Sequence, residues 1–281
     1  MDALIEQAAK TLAESRYAIA LTGAGMSTES GIPDYRGPDG VWTKNPDAER
    51  QAYLAYDKFK SDPKKYWEER MSPDNTFWRA FAERFKEITP NPGHLALAEL
   101  EKMGVLKCII TQNVDGLHGR AGSSTVYEYH GGLEKLRCPR CNTRYQREHF
   151  DLEGMYRDGR LPPLCERCGA AVKEDGVFFG EPIPRDVMDM SEEEAQRCDV
   201  MLICGTSAVV TPFAYLPRIT RYRKSATGAA GSGPGTGAAT IIEVNAEPTP
   251  LTAEGISDFL IRGKTGEVLP RIAEEVKQLR R

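Results

Sequence analysis

The chain has 281 residues, which is enough for one large domain with a smaller module or for two domains. Its 40% hydrophobic and 28% charged content is that of an ordinary globular protein, and its longest apolar run is too short to span a bilayer. The net charge of −4 argues against non-specific binding to nucleic acid or to membranes. The sequence therefore predicts no direct nucleic-acid or membrane partner.

Strand and helix patterns alternate along the chain. After an N-terminal helix, the apolar run at 17–22 indicates a strand, and a charged, aromatic helical region covers about 45–88. Asn91, Pro92 and Gly104 are the predicted cap, first position and stop of the next helix. Further strands are predicted at 105–111, 125–130, 200–207 and 240–245, with helices at 192–199, 211–224 and the C-terminus.

This alternation of short apolar strands with helices predicts an α/β fold with a doubly wound parallel sheet. Ligands of such sheets bind outside the carboxyl ends of the strands, so the residues at those ends are the candidates for function. Residues 225–240 contain only Ala, Gly, Ser, Thr and Pro, a composition that predicts a flexible loop, to which no function is assigned.

The chain has seven cysteines and no signal-peptide pattern, which together predict a reducing cytoplasm. Four of them form two CxxC pairs separated by 23 residues. Four thiolates make a closed tetrahedral site, so we predict one structural Zn²⁺; a redox dithiol is the alternative. The predicted ligands are Cys138, Cys141, Cys165 and Cys168, while Cys108, Cys198 and Cys204 lie in or beside apolar runs and are predicted core thiols.

A glycine-rich turn follows the first strand in the stretch LTGAGMSTESGIPDYRG. Gly23 and Gly25 permit a tight turn and the close approach of a pyrophosphate, and the next helix is expected to point its N-terminus at the negative charge. The third glycine of the dinucleotide fingerprint is replaced by Thr28. Taken alone, the turn leaves a purely structural role open.

Four motifs taken together identify a family. GAGMSTESGIPDYRG at 23–37 is joined by TQNVDGLH at 111–118, YEYHGG at 127–132 and LICGTS at 202–207, and the four-cysteine segment follows YEYHGG. This combination resembles the sirtuins of the bacterial and archaeal type, the NAD⁺-dependent protein lysine deacylases. The resemblance covers essentially the whole chain from Leu21 to the C-terminal helix.

The resemblance implies a domain organisation. A Rossmann-like NAD-binding domain would consist of residues 1–37, 90–134 and 176–281. A small domain would combine a helical module at 38–89 with a zinc ribbon at 135–175. The NAD⁺ and acyl-lysine sites would meet in the cleft between the two domains, with Zn²⁺ as one structural ion and NAD⁺ as co-substrate.

The resemblance also implies roles for individual residues. The catalytic residues would be His130, Asn113 and Asp115, with Asp115 bonding the nicotinamide carboxamide. The segment 176–181 would pair as a strand with the peptide and contact the substrate through Val177, Phe178, Gly180 and Glu181. The NAD⁺ contacts would come from Gly23, Ala24, Gly25, Thr28, Asp34, Tyr35, Arg36, Gln112, Asn113, Val114, Asp115, Gly205, Thr206, Ser207, Asn245 and Thr265.

His130 is the predicted general base. Cleavage of the C–N bond of NAD⁺ develops oxocarbenium-like charge, and the acyl-lysine carbonyl oxygen would attack, so no Ser or Cys nucleophile is needed. One base must take a proton from a ribose hydroxyl, and an imidazole titrates in the useful range. Of the other histidines, His118 is predicted to be structural, His94 to lie at the start of a helix and His149 to lie on a surface.

The acyl preference is predicted to be acetyl or another neutral group. Family members that prefer acidic acyl groups place a Tyr and an Arg three residues apart, whereas the nearest pair here, Tyr66 and Arg70, is four apart. Aromatic residues of the same region either line an acyl tunnel or pack in a core, and core packing is favoured. They are Trp67, Phe77, Trp78 and Phe81.

Three functions remain open at this point. They are a protein-lysine deacylase, which is favoured, a mono-ADP-ribosyltransferase that uses the same site, and a non-catalytic sensor of NAD⁺ or ADP-ribose. The predicted partners are acyl-lysine proteins, and the chain is predicted to be a monomer. A basic cluster, interpreted as a solvated face or else a docking surface, comprises Lys135, Arg137, Arg140, Arg144 and Arg147.

Overall fold

The computed structural model of the chain describes residues 1–75, 85, 87–223 and 239–281. The strands in these ranges are β1 Ala18–Thr22, β2 Leu106–Thr111, β3 Val126–Glu128, β4 Lys135–Arg137, β5 Arg144–Gln146, β6 Lys173–Glu174, β7 Val200–Cys204, β8 Thr240–Asn245 and β9 Phe259–Arg262. The helices are α1 Asp2–Glu14, α2 Val41–Lys44, α3 Pro46–Ser61, α4 Pro63–Met71, α5 Pro92–Lys102, α6 Leu117–Arg120, α7 Leu152–Arg157, α8 Arg185–Arg197, α9 Tyr215–Tyr222, α10 Pro250–Ala253 and α11 Thr265–Leu279.

The main sheet has six strands in the order β3-β2-β1-β7-β8-β9, and every neighbouring pair is parallel. The chain builds outward from β1 to β3 and then crosses to the other side of β1 to begin β7. The switch point therefore lies between β1 and β7, where Thr22 stands opposite Cys204. This order confirms the predicted doubly wound α/β sheet, and ligands of such sheets bind outside the strand ends at a switch point.

Both faces of the sheet are covered, which explains why its strands read as continuous apolar runs. All five residues of β1 are buried. Ala18 and Ala20 pack with α1, α5 and α11 on one face, and Ile19 and Leu21 pack with α8 and α9 on the other. The three predicted core thiols, Cys108, Cys198 and Cys204, are buried as expected.

A second, three-stranded antiparallel sheet in the order β5-β4-β6 forms in the cysteine segment. Its small core includes the indole of Trp67 from α4, which is fully buried and donates a hydrogen bond to the carbonyl of Val172 at 2.7 Å. Trp67 is thus a core residue, as predicted. It attaches the helical segment at 46–71 to the cysteine segment.

One local prediction was wrong, and one strand was not predicted. The glycine turn leads into two short 3-10 turns, Ala24–Met26 and Thr28–Ser30, instead of an α-helix, because the chain leaves the helical path at Gly31, where φ is +89°. Strand β9 was not predicted; it is a four-residue edge strand with one neighbour. Residues 176–181 belong to neither sheet, and the pairing of this segment with a peptide stays a prediction.

Several sequence predictions fall on residues outside the described ranges. These are the aromatic residues Phe77, Trp78 and Phe81, and positions 225–238 of the predicted loop, whose last residue, Thr240, begins β8. Among the described helices, none combines the length and the apolar character that crossing a bilayer requires.

A glycine substitution tests the packing at the switch point. Gly205 has φ of +60°, and a Cβ there would lie 2.5 Å from the carbonyl carbon of Gly25. Gly104 has a similar φ of +72°, but a Cβ there meets nothing within 4 Å. We expect Gly104→Ala to lower the free energy of unfolding by about 1–2 kcal/mol through backbone strain alone, and Gly205→Ala to lower it distinctly more.

Urea unfolding of the two variants and the parent chain measures this difference. Equal losses in the two variants would show that the turns after β1 and β7 are not in close contact.

Candidate functional site

Two glycine turns meet at the switch point and pack backbone against backbone. The amide of Gly25 donates to the carbonyl of Gly205 at 2.8 Å, and the amide of Gly23 donates to the carbonyl of Cys204 at 3.2 Å. A Cβ on Gly23 would lie 2.6 Å from the Cβ of Thr206, and one on Gly25 would lie 2.9 Å from the Gly205 oxygen. Glycine is therefore required at these positions to bring the turns together.

The predicted nicotinamide residues meet beside the first turn. Ser27 donates to Asp115 Oδ2 at 2.7 Å, across 88 residues of sequence. Asn113 Nδ2 donates to the Gly23 carbonyl at 2.9 Å and to Ser27 Oγ at 3.1 Å. The other carboxylate oxygen of Asp115 accepts from the amide of Leu117 at 3.0 Å. The structure thus joins Asn113 and Asp115 through the hydroxyl of Ser27.

A second group of predicted residues joins the ends of β2, β7 and β8. Gln112 Nε2 donates to Thr206 Oγ1 at 2.7 Å, and Asn245 Nδ2 donates to the Thr206 carbonyl at 3.1 Å. The Thr206 hydroxyl also accepts from the amide of Ala208 at 3.1 Å. Ser207, next in the chain, is exposed. These bonds fix the strand-end loops relative to one another before any ligand binds.

His130 lies at the end of the β3 segment with one ring nitrogen anchored. Its Nδ1 is 3.2 Å from the carbonyl of Gln112. A carbonyl only accepts, so Nδ1 carries the proton and the lone pair is on Nε2. Burial lowers the pKa of His130 below 6.5, although the bond to Gln112 opposes part of the shift. At neutral pH the imidazole is uncharged and able to accept a proton at Nε2.

The segment after the first turn, which includes the predicted cofactor residues at 34–36, folds on itself. Asp34 Oδ1 accepts from the amide of Gly37 at 2.9 Å. The Tyr35 ring lies 4.8 Å from the Trp42 ring and is 48% exposed. The Arg36 guanidinium stacks 4.5 Å from Trp42 and lies 3.8 Å from Glu49. Tyr35 and Arg36 thus form an aromatic and cationic rim.

The segment 176–181 is tied to His130 and to buried charges. The amide of Val177 donates to the His130 carbonyl at 2.8 Å, and the amide of Phe178 donates to Glu181 Oε2 at 3.0 Å. Glu181 also pairs with Arg137 at 2.7 Å and with Lys173 at 3.0 Å, and all three side chains are buried. The Glu181 carboxylate is therefore directed into the protein, and its predicted role in binding the substrate is not supported by these contacts.

The same network corrects the interpretation of the basic cluster. Arg137 is buried and bonds Asp175 at 2.7 Å as well as Glu181. Arg144 lies 3.6 Å from Asp175 and 2.7 Å from Asp186. Arg137 was expected on a solvated or docking face. Its side chain is instead buried, because the buried carboxylates of Asp175 and Glu181 require a positively charged partner.

Tyr66 and Arg70 share Glu174 as a partner near the segment at 176–181. The Tyr66 hydroxyl donates to Glu174 Oε2 at 2.7 Å, and Arg70 Nε donates to Glu174 Oε1 at 2.6 Å. Burial alone would raise the pKa of Glu174, but Arg70 and the Tyr66 hydroxyl outweigh it and hold that pKa low. The Tyr66 ring is 6.1 Å from the ring of Phe178. Both candidate groups for an acidic acyl chain therefore already hold an internal carboxylate.

The remaining predicted cofactor residues are more scattered. Thr28 donates to the Gly25 carbonyl at 3.1 Å, so its hydroxyl closes the turn. Thr265 is buried at the start of α11, and its hydroxyl has no partner among the described residues. The Val114 carbonyl accepts from the amide of Leu133 at 3.0 Å. Ala24 begins the first 3-10 turn.

The four predicted zinc ligands converge. All four Sγ atoms lie within 4.8 Å of one another, and the two closest pairs, Cys138 with Cys168 and Cys141 with Cys165, are 3.5 Å apart. Zn–S bonds of about 2.3 Å in a tetrahedron place the sulfurs about 3.8 Å apart, so the cluster fits Zn²⁺. Four thiolates leave no open coordination position, so the ion is structural.

Comparison with known proteins places these features together in one family. The Sir2 family model matches residues 23–212. NAD-dependent protein deacylase 1 of Archaeoglobus fulgidus is 42% identical over 276 residues, covering 97% of this chain and 98% of its own length. The NAD-dependent protein deacylase of Pyrococcus furiosus is 40% identical over 277 residues, covering 98% of this chain and 99% of its own.

Three solved structures are similar over nearly the full length. A Sir2 homologue in complex with NAD has a TM-score of 0.74 and 41% identity, covering 98% of this chain and 95% of that one. A mutant Sir2 homologue with 2′-O-acetyl ADP ribose has a TM-score of 0.72 and 42% identity, covering 98% and 97%. Sir2Af2 bound to a myristoylated histone peptide has a TM-score of 0.66 and 38% identity, covering 100% and 99%.

Removal of one thiolate tests the metal site. We expect Cys168→Ala to lose the bound zinc and to unfold at lower temperature, because three ligands no longer close the tetrahedron. Cys108→Ala is the matched control, since Cys108 is a buried thiol outside the cluster. Metal analysis of the purified proteins gives the answer; zinc retained at one equivalent by both variants would exclude the four-cysteine site.

Proposed function

The chain belongs to the Sir2 family, and we propose that it is an NAD-dependent protein-lysine deacylase that yields nicotinamide, O-acyl-ADP-ribose and free lysine. The observation that carries the proposal is the set of bonds that joins Asn113 and Asp115 through Ser27 and anchors His130 to the Gln112 carbonyl, which leaves the Nε2 lone pair of His130 available. Relatives that share 40–42% identity over nearly their whole length carry the same activity in their names.

The crevice fits the co-substrate. NAD⁺ supplies, when bound, an anomeric carbon that bears a cationic nicotinamide leaving group. The phosphates would lie beside the turns at 23–25 and 205, whose close contact the glycines permit. Gln112 and Asn245 would face the riboses, and Asp115, held by Ser27, would bond the nicotinamide carboxamide.

His130 would act as the general base by accepting a substrate hydroxyl proton at Nε2. No protein nucleophile is needed, and the buried thiols support that view. Burial raises the pKa of Cys198 to about 11 and raises the pKa values of Cys108 and Cys204 as well. These thiols are therefore protonated and poor nucleophiles at neutral pH, which leaves attack to the acyl oxygen of the substrate.

The substrate segment at 176–181 would hold the peptide by backbone pairing next to His130. The bond from Val177 to the His130 carbonyl couples the position of this segment to that of the base. A neutral acyl group fits the surroundings, because Tyr66 and Arg70 are bound to Glu174. The relative bound to a myristoylated histone peptide supports the same class of substrate.

We further propose that the chain is a cytoplasmic monomer without a nucleic-acid partner, and that its domains divide at 37/38, 89/90, 134/135 and 175/176.

Replacement of the base tests the proposal. We expect His130→Ala to lower kcat/KM for an acetyl-lysine peptide by about 10²–10⁴-fold, the usual contribution of a general base. His149→Ala is the control, because His149 is exposed and bonds Glu166 in the cysteine segment. Mass spectrometry of the peptide measures the deacylation activity of both variants. Equal activity in the two variants would remove His130 from the mechanism.

The pH dependence of the reaction follows from the environment of His130. Its pKa lies below 6.5, and the base acts in its neutral form, so kcat/KM should stay high at pH 6.5 and fall only at lower pH. A pH profile of kcat/KM between pH 5 and 8 reports the pKa of the free enzyme. An acid limb with its midpoint above 6.5 would contradict the buried, neutral imidazole.

A further inference from the structure

Two buried histidines lie side by side behind the crevice, and neither has a role in the proposed reaction. The ring centroids of His94, on α5, and His118, on α6, are 4.8 Å apart with an interplanar angle of 56°. Their residues are 0% and 2% exposed. Each ring has one bonded nitrogen, and each has one nitrogen without a partner among the described residues, namely Nε2 of His94 and Nδ1 of His118.

The bonded nitrogens determine which tautomer each ring adopts. The amide of Asn91 donates to His94 Nδ1 at 3.3 Å, so Nδ1 carries a lone pair and the proton of the neutral ring is on Nε2. The Thr22 hydroxyl donates to Thr111 Oγ1 at 2.8 Å, which leaves the Thr22 oxygen to accept from His118 Nε2 at 2.9 Å. The remaining His118 nitrogen, Nδ1, then carries a lone pair.

Burial keeps both rings neutral. It lowers the pKa of His94 to about 4, against a smaller opposite effect of Asp115, and it lowers the pKa of His118 to about 3, with His94 adding to the decrease. The two unpartnered atoms are therefore complementary, because Nε2 of His94 has a proton and Nδ1 of His118 has a lone pair. Leaving both unpaired in a buried site would be costly.

We propose that one buried water accepts from the Nε2–H of His94 and donates to the Nδ1 of His118, and that the pair positions Asn113. The water completes a chain in which each donor points toward Thr111, from the Asn91 amide through His94, His118 and Thr22 to Thr111 Oγ1. A cavity of about 360 Å³, lined by residues that include Thr111 and His118, adjoins the pair on the His118 side.

Both ends of this chain hold the glycine turn. At one end, Asn91 Nδ2 donates to the Met26 carbonyl at 2.8 Å. At the other, Thr111 Oγ1 accepts from the amide of Asn113 at 3.0 Å, and Asn113 Nδ2 donates to the Gly23 carbonyl. The histidine pair thus sets the spacing between the two loops that carry the turn and Asn113. His94 and His118 are positioning residues, since neither touches the reacting groups.

The hydrogen-bond arrangement is tested on the wild-type chain without any assay of activity. The chain has four histidines, so long-range ¹H–¹⁵N NMR spectra of the histidine-labelled protein are simple, and single His→Gln variants assign them. We expect His94 and His118 to remain neutral, both with the proton on Nε2, from pH 5 to 8. Protonation of either ring in that range, or an Nδ1–H tautomer of His118, would overturn the proposal.

The positioning role is tested with two substitutions of similar size, and this part rests on the proposed deacylase activity. We expect His118→Leu, which removes both polar atoms, to lower kcat for the acetyl-lysine peptide by about tenfold or more. His118→Gln keeps one donor and one acceptor and should restore most of that loss. Equal kcat in the two folded variants would show that the hydrogen bonds of His118 do not position Asn113.

Failure of the proposed function gives a different result. In that case the wild-type chain itself would not deacylate the peptide, while the NMR tautomers of His94 and His118 would be unaffected. His149→Leu, at an exposed histidine, should change neither measurement.

Discussion

The close contact between the turns after β1 and β7 is the constraint on which the rest of the site depends. The bond from Gly25 to Gly205 holds two backbones together where any side chain would separate them. Beside this contact, Ser27 donates a hydrogen bond to Asp115, and Gln112 donates one to Thr206. The crevice is therefore organised before a ligand enters, and little binding energy is needed to order it.

Buried ion pairs fix the position of the segment at 176–181. Arg137 and Lys173 converge on Glu181, whose carboxylate also holds the amide of Phe178. Such a network adds little net stability over apolar packing, but removing one partner leaves an unpaired buried charge and is strongly destabilising. It joins β4 and β6 to the segment at 176–181, and the turn that follows β4 holds Cys138 and Cys141.

Most of the fold and the metal site can be predicted from the sequence, because they depend on the spacing of residues that are close together in the chain. The apolar strands, the Asn91 cap and the CxxC pairs are readable because each depends on residues within a few positions. Contacts between distant residues are not readable in this way. The Ser27–Asp115 bond spans 88 positions, and the burial of Arg137 depends on carboxylates 38 and 44 residues away. Strand β9 was missed because four residues at a sheet edge give a weak pattern.

The most direct test of the account is the stoichiometry of a single turnover with NAD⁺ and an acetyl-lysine peptide. The account predicts equal amounts of nicotinamide, free-lysine peptide and O-acetyl-ADP-ribose, each formed only when both substrates are present. Release of nicotinamide with the acetyl group still on the peptide and ADP-ribose attached to protein would establish a transferase instead. Binding of NAD⁺ without its consumption would establish a sensor, and either result would contradict the account.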